Sequence, residues 1–224
     1  MNEGPNVSPT VFVVDDDPAA RDSVAALVTA KGLAVESFES AEAFLASYDR
    51  SQGGCLIADL RMDGMDGLQL QQRLIEKGIH LPVILISAYA DVPTAVTAMN
   101  RGAITFLEKP CGDHELWTNI SKAIERDARQ RGDQAARDDV TRRLETLTDP
   151  EREVLDCLRR GCLNKVIASK LDIGLRTVEL RRANIMKKME ADSLAHLLKT
   201  VISSEAKREA NGEHAPAVDG APSS

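Results

Sequence analysis

The hydrophobic pattern of this chain changes character partway along it. In the first part, short unbroken apolar runs alternate with stretches whose apolar residues recur every three or four positions. Thr10-Val11-Phe12-Val13-Val14, Cys55 to Ala58 and Pro82 to Ser87 are such runs, and Ala34 to Phe38 and Thr105 to Pro110 are short strand-like stretches that include charged residues. Runs of this length and composition predict strands, the most apolar of them buried on both faces. Helical spacing fills the intervals: Val24, Leu27 and Val28 up to Gly32, then Ala41 to Tyr48, Leu68 to Lys77 ended by Gly78, Asp91 to Asn100 before Gly102, and Leu116 to about Arg129. Pro18 suits the first turn of the first helix. Five strand–helix alternations predict an α/β fold with a doubly wound parallel sheet. The flavodoxin-like order 2-1-3-4-5 places its crevice between strands 1 and 3.

Residues 126–145 (RDARQRGDQAARDDVTRRLE) are densely charged and nearly devoid of apolar residues. They predict an exposed helix that extends the fifth, with Gly132 as the position where it would break. From Leu147 onward the pattern is helical throughout. Thr148 or Asp149 can cap, Pro150 fits a first turn, and Val154, Leu155 and Leu158 face inward. A second helix spans Leu163 to Leu171, with Val166, Ile167 and Leu171 as its apolar residues. The turn Asp172-Ile173-Gly174 leads to a third, about Leu175 to Met189. Ser193 caps a fourth, which carries Leu194, Leu197, Leu198 and Val201. Two short helices joined by a tight turn match helix-turn-helix geometry. The resulting organisation is a mobile leader (1–9), an α/β domain (10–128), a helical linker (129–145), an all-α four-helix domain (146–206) and a disordered tail (207–224).

Charge modifies this picture locally. The net charge of −7 argues against nucleic acid on average. The third helix of the second half reverses the sign, with Arg176, Arg181, Arg182, Lys187 and Lys188 against Glu179 and Glu190. Such a basic stripe is the footprint expected for phosphates of double-stranded DNA. Val178, Ile185 and Met189 point to the core, while Arg176, Glu179, Leu180, Ala183 and Lys187 share the opposite side, which would enter a major groove. No apolar run approaches the ~20 residues of a membrane span, and no signal peptide is evident, so a cytoplasmic protein is expected. The four cysteines lack CxxC spacing, which argues against zinc and for free thiols. The four scattered histidines support neither a metal site nor a Ser/His relay.

Candidate chemistry collects at strand ends, where parallel α/β sheets place their sites. Asp15 and Asp16 follow strand 1, Asp59 ends strand 3, Ser87 ends strand 4 and Lys109 follows strand 5. Singly, each is as well explained as a helix cap or a solvated residue. Together, three carboxylates in one crevice repel one another and call for a divalent cation. Hard oxygen ligands with room left for water and phosphate suit Mg²⁺. A lysine and a hydroxyl beside them suit phosphoryl oxygens. The set describes an aspartate that accepts a phosphoryl group.

Residues 10 to about 128 resemble a response-regulator receiver domain, through VVDDD at 13–17, ADLRMDGMDG at 58–67, ISA at 86–88 and FLEKP at 106–110. The resemblance implies that Asp59 is the phosphoacceptor and that Asp16, Asp59 and the Arg61 backbone carbonyl ligate Mg²⁺ (or Mn²⁺), with Asp15 acting through water. It also implies that Ser87 and Lys109 hold the phosphate, that Lys109-Pro110 is cis, and that Phe106 moves with Ser87 on phosphorylation. Two departures stand out. The family usually has Met-Pro where this chain has Met62-Asp63, which removes a stiff residue and adds a negative charge. Arg61 and Tyr89 are bulky at positions flanking the site and are expected to shield an acyl phosphate from water.

The second half resembles the LuxR/FixJ-type DNA-binding domain, through EREVL, G-x-x-NK-x-IA-x-x-L, RTVE and KM. That resemblance implies phosphate contacts from Lys165, Thr177, Arg182 and Lys187, and base contacts from Glu179, Leu180 and Ala183. Arg181 stands where the family commonly has His. Both halves together resemble a FixJ-type response regulator. The expected function is that of a two-component transcription regulator, not a conventional enzyme. A histidine kinase would phosphorylate Asp59, and the protein would form homodimers through the helix 4/strand 5 face and bind DNA. Two other readings stay open at this stage: a receiver that works without phosphorylation, and an interaction protein whose helix-turn-helix has lost DNA specificity.

Overall fold

The computed structural model describes residues 8–89 and 91–210. The chain divides after Gly132 into two units. In the first, strands β1 (Thr10–Val14), β2 (Ala34–Phe38), β3 (Gly54–Asp59), β4 (Val83–Ser87) and β5 (Thr105–Glu108) alternate with helices α1 (Pro18–Ala30), α2 (Ala41–Ser47), α3 (Gly67–Glu76), α4 (Val92–Asn100) and α5 (Asp113–Glu145). The sheet is parallel, in the order β2-β1-β3-β4-β5. This is the expected doubly wound, flavodoxin-like arrangement.

Strand periodicity builds two cores, one on each face of the sheet. Phe12, Val14, Leu56, Ala58 and Leu85 meet Phe44, Leu70, Leu74 and Ala98 on one side. Val11, Val13, Ile57, Ile84 and Ile86 meet Val28, Leu116 and Ile120 on the other. The three central strands are buried along their whole length, as solid apolar runs require. The edge strand β2 is largely exposed. Gly54 opens β3 with φ +143°, and a Cβ there would lie 1.8 Å from the Thr10 carbonyl oxygen, so only glycine fits.

Helices α1 to α4 each begin on a polar cap. Asp17 accepts from the Ala19 N–H, Ser40 from Ala43, Asp66 from Gln69 and Asp91 from Thr94. Capping of α1 thus falls to Asp17, which leaves Asp15 and Asp16 to other work. Lys109-Pro110 is cis, as the resemblance implied.

The fifth helix departs from expectation. It runs unbroken over 33 residues, through Gly132 and the whole charged stretch. Glycine inside a helix costs only about 1 kcal/mol relative to alanine. The flanking turns offset that cost, because Ile120, Ala123 and Asp127 are buried in the first unit while Val140 and Leu144 pack against the second.

The second unit is all-α, with α6 (Asp149–Arg159), α7 (Asn164–Lys170), α8 (Leu175–Lys188) and α9 (Leu194–Ala210). Val154, Leu158, Ile167, Val178, Ile185, Leu197 and Val201 form its core. Val166, read as one of α7's apolar residues, is instead half exposed. Helix α9 continues to Ala210, four residues past the expected domain end, so 207–210 are helical where a disordered tail was expected. The rest of that tail, and leader residues 1–7, lie outside the described residues. Among the described residues, no helix is long and apolar enough to cross a membrane.

Candidate functional site

Strand register assembles the first site. Val14 pairs with Ala58, so Asp15 and Asp59, each one residue further on, emerge side by side from β1 and β3. Ser87 pairs with Glu108, which brings Lys109 to the same edge from β5. The Lys109 Nζ lies 2.6 Å from Asp15 Oδ2 and 2.6 Å from Asp59 Oδ1, bridging two carboxylates that are both buried. Gly67 allows the β3–α3 loop to close beneath them, since a Cβ there would lie 2.4 Å from the Asp59 carbonyl oxygen.

Each carboxylate accepts a backbone donor as well. Asp59 Oδ2 accepts from the Arg61 N–H at 2.7 Å, and Asp15 Oδ1 from the Asp17 N–H at 2.9 Å. Burial raises the Asp59 carboxyl above its ordinary range; the Lys109 ammonium and the Arg61 N–H pull the other way, while the Asp15 charge adds to the rise. For Lys109, burial favours the neutral amine, but hydrogen bonds to Asp15 and Asp59 and their charges outweigh it and hold the ammonium above its ordinary value. The site therefore keeps a fixed cation against an acidic pair. A cavity of about 270 Å³, lined in part by Asp15, Asp59, Lys109, Ala20 and Cys111, adjoins it.

The remaining residues of this set sit around the trio at different distances from its chemistry. Asp16 is exposed, and its Oδ2 accepts from the Asp63 N–H at 3.1 Å. Ser87 is fully buried, with its hydroxyl exchanging hydrogen bonds with the Tyr89 backbone rather than with the acids. Phe106 packs against the core on the α3/α4 side of the sheet. The Arg61 guanidinium lies over the Tyr89 ring, 5.0 Å from its centroid.

Among the described residues, no group of three or more His, Cys, Asp or Glu side chains stands as a ready metal cluster. Lys109 occupies the acidic pair, and Asp16 is turned to the loop. The donor chemistry nonetheless fits a hard divalent cation: three aspartates and a nearby backbone carbonyl supply only oxygen, with a charge that one lysine does not neutralise.

Sequence reasoning missed several supports. The Arg21 guanidinium donates to the Asp15 carbonyl oxygen, and Glu42 accepts from the Met65 N–H at 3.2 Å, steadying the loop after β3. A larger omission lies at the opposite edge of the sheet. Asp127 is buried, and its Oδ2 accepts from the Gly54 N–H at 2.8 Å and from Arg131 Nε at 2.9 Å. The Arg131 guanidinium also donates to the carbonyl oxygens of Arg50, Ser51 and Gln52. The "R-D-A-R-Q-R" run gives no apolar periodicity by which to find these two residues; only their i, i+4 spacing was visible.

In the second unit, α8 follows α7 across the tight turn. Arg176, Glu179, Leu180, Ala183 and Lys187 are exposed on one face, while Val178 and Ile185 are fully buried on the other. Lys165 is exposed on α7 and Thr177 is half-buried at the start of α8. Arg181 is half-buried, as a residue at the edge of the apolar face should be. Arg182 is hydrogen-bonded to Asn164, which ties α8 to α7. Lys188 does not belong with the open basic stripe: its Nζ pairs with buried Glu151 at 2.6 Å and donates to the Thr146 carbonyl at 2.9 Å.

Comparison with known proteins agrees with both halves. Residues 11–121 match the family described as response regulator receiver domain, and residues 145–201 match bacterial regulatory proteins of the luxR family. The chain is 43% identical over 192 residues to the transcriptional regulatory protein FixJ of Azorhizobium caulinodans, covering 86% of this chain and 91% of that one. It is 40% identical over 189 residues to the response regulator protein TodT of Pseudomonas putida, covering 84% and 83%. A solved structure of the response regulator StyR superposes with a TM-score of 0.82 at 39% identity, covering 88% of this chain and 99% of that one. Full-length FixJ from B. japonicum superposes with a TM-score of 0.53 at 37% identity, covering 88% and 98%. The chain therefore belongs to the FixJ-type response regulators, two-component transcription regulators that join a receiver domain to a LuxR-type DNA-binding domain.

Proposed function

We propose that this regulator is switched by phosphorylation of Asp59 by a cognate histidine kinase. The observation that carries the reading is the Lys109 ammonium, 2.6 Å from both Asp59 and Asp15 at the carboxyl edge of the sheet. One Asp59 oxygen attacks the phosphorus of a phosphohistidine. The P–N bond breaks, its electron pair stays on the imidazole nitrogen, and that nitrogen takes up a proton. Lys109 balances charge on the transferred group, and the Ser87 hydroxyl leaves the Tyr89 backbone to bind a phosphoryl oxygen. Phe106 follows Ser87 and alters the face formed by α4 and β5. Asp16, Asp59 and the Arg61 carbonyl would hold Mg²⁺, with Asp15 through water. When bound, the ion neutralises charge on the phosphoryl oxygens. Beyond its own phosphorylation and dephosphorylation, the protein performs no catalysis.

Downstream, the face of α4 offers an exposed apolar row at helical spacing, Val92, Val96 and Met99. An exposed row of this kind suits a self-association surface. Dimers present two α8 helices to inverted half-sites. Arg176, Lys165, Thr177, Arg182 and Lys187 serve the phosphates, while Glu179, Leu180 and Ala183 reach base edges. Intact mass spectrometry after incubation with acetyl phosphate tests the first step. One phosphoryl adduct is expected, dependent on Mg²⁺ and absent from Asp59→Ala. An equal adduct in Asp59→Ala, or none in the wild type, overturns the assignment.

A further inference from the structure

The switch just proposed acts through the face of α4, and this helix buries little of itself. Ala98 is the one buried residue of this helix, while Val92, Val96 and Met99 face outward. Two hydrogen bonds to α3 add to that apolar contact. Gln71 of α3, 2% exposed, donates from Nε2 to the Ala98 carbonyl oxygen at 3.1 Å. Arg101, the C-cap of α4, donates to the Leu68 carbonyl of α3 at 3.2 Å.

The other end of the Gln71 amide is the informative part. Among the described residues nothing offers its buried Oε1 a hydrogen bond. The neighbours on both sides, Leu70 and Leu74 on α3 and Ala98 and Ala103 opposite, belong to one apolar cluster. Rotating the amide by half a turn would aim Oε1 at the Ala98 oxygen, which is worse. A buried acceptor left unpaired raises the free energy of the state that contains it. The Ala98 carbonyl does not depend on Gln71, because it also accepts from the Ala103 N–H at 3.1 Å.

We propose that Gln71 is a positioning residue for α4, a latch whose Nε2–H holds its last turn against α3, while its unpaired carbonyl is a cost to the folded state as a whole. A methionine in its place, of similar length and without the amide, would remove both the tether and the unpaired acceptor. A helix with one buried residue opens locally at small cost, so each of its two tethers to α3 carries much of its protection. Freeing the helix makes it easier for phosphorylation to alter the α4/β5 face. This inference rests on the proposed use of the α4 face for dimerisation, but its first readout does not.

The experiment uses the full chain, wild type and Gln71→Met, with three readouts: thermal unfolding, amide exchange at Arg101, Gly102 and Ala103, and dimerisation against acetyl phosphate concentration with Mg²⁺. The latch predicts that Gln71→Met unfolds at the same temperature or higher, exchanges those amides at least threefold faster, and dimerises at a several-fold lower donor concentration. Unchanged exchange with a lowered unfolding temperature would make Gln71 a packing residue only and overturn the proposal. So would dimerisation of both proteins at the same donor concentration. If the wild type does not dimerise, the reading of the α4 face fails, and the exchange rates still decide the latch.

Discussion

Asp63 shows what one residue changes at this site. A proline there would have no N–H to give, whereas the Asp63 N–H holds Asp16 Oδ2 at 3.1 Å. The chain thus trades a stiff loop for a tied carboxylate. Two residues earlier, Arg61 serves twice: its backbone N–H binds Asp59, and its side chain lies over the Tyr89 ring beside the acid site. We expect this pair to slow water's access to an acyl phosphate. Arg61→Ala and Tyr89→Ala should each hydrolyse the adduct several-fold faster, followed by loss of the phosphoryl mass after the donor is removed; rates equal to wild type would end the shielding account. At this scale Asp15, Asp59 and Lys109 were legible in the sequence, because each sits at the end of a predicted strand. The state of Asp16 and Ser87 was not legible, since it depends on hydrogen bonds to Asp63 and Tyr89 that no periodicity encodes.

Helix α5 was legible as a helix, but its anchoring was not. Its charged stretch looked solvated throughout, yet Asp127 and Arg131 fasten one turn of it to Gly54 and to the carbonyls of residues 50–52. Asp127→Ala leaves the buried Gly54 N–H and the Arg131 guanidinium without their acceptor, and should cost about 3 kcal/mol. Trp117, the only tryptophan, packs in the first unit and reports the loss by fluorescence during urea unfolding. A change below about 0.5 kcal/mol, typical of an ordinary surface site, would contradict a structural role for the clamp.

The junction of α6 and α8 carries a further buried acid. Glu151 accepts from the Thr148 N–H at 2.9 Å and pairs with Lys188 at 2.6 Å. The Lys188 hydrogen bond, then the Thr148 N–H, hold its carboxyl below the usual glutamate range. A depressed folded-state pKa stabilises above the unfolded value, and that contribution is lost as pH falls through the folded value. The second unit should therefore lose stability on acidification below about pH 4.5, the ordinary glutamate range. Glu151→Gln should lower its stability at pH 7 and flatten that acid dependence, measured by amide exchange of α6 and α8 at several pH values. An unchanged acid profile would show that the pair contributes nothing. The basic character of α8 was legible, whereas the diversion of Lys188 from the open face to Glu151 needed the fold.

For the whole molecule, the division into a parallel α/β unit and a helical unit followed from the change in hydrophobic period. The limits of the linker did not, because a 33-residue helix belongs to both units in turn and its sequence carries no boundary. Net charge was a poor guide to partners, since −7 overall conceals the exposed Arg176 and Lys187 of α8. The central claim is that chemistry at Asp59 controls what α8 does. The most direct test is DNA binding and sedimentation of the full chain, with and without acetyl phosphate and Mg²⁺, in wild type and Asp59→Ala. The account predicts that the donor produces dimers and tighter binding to a selected site in the wild type only. Equal binding by both proteins, with no change in oligomeric state, would contradict it.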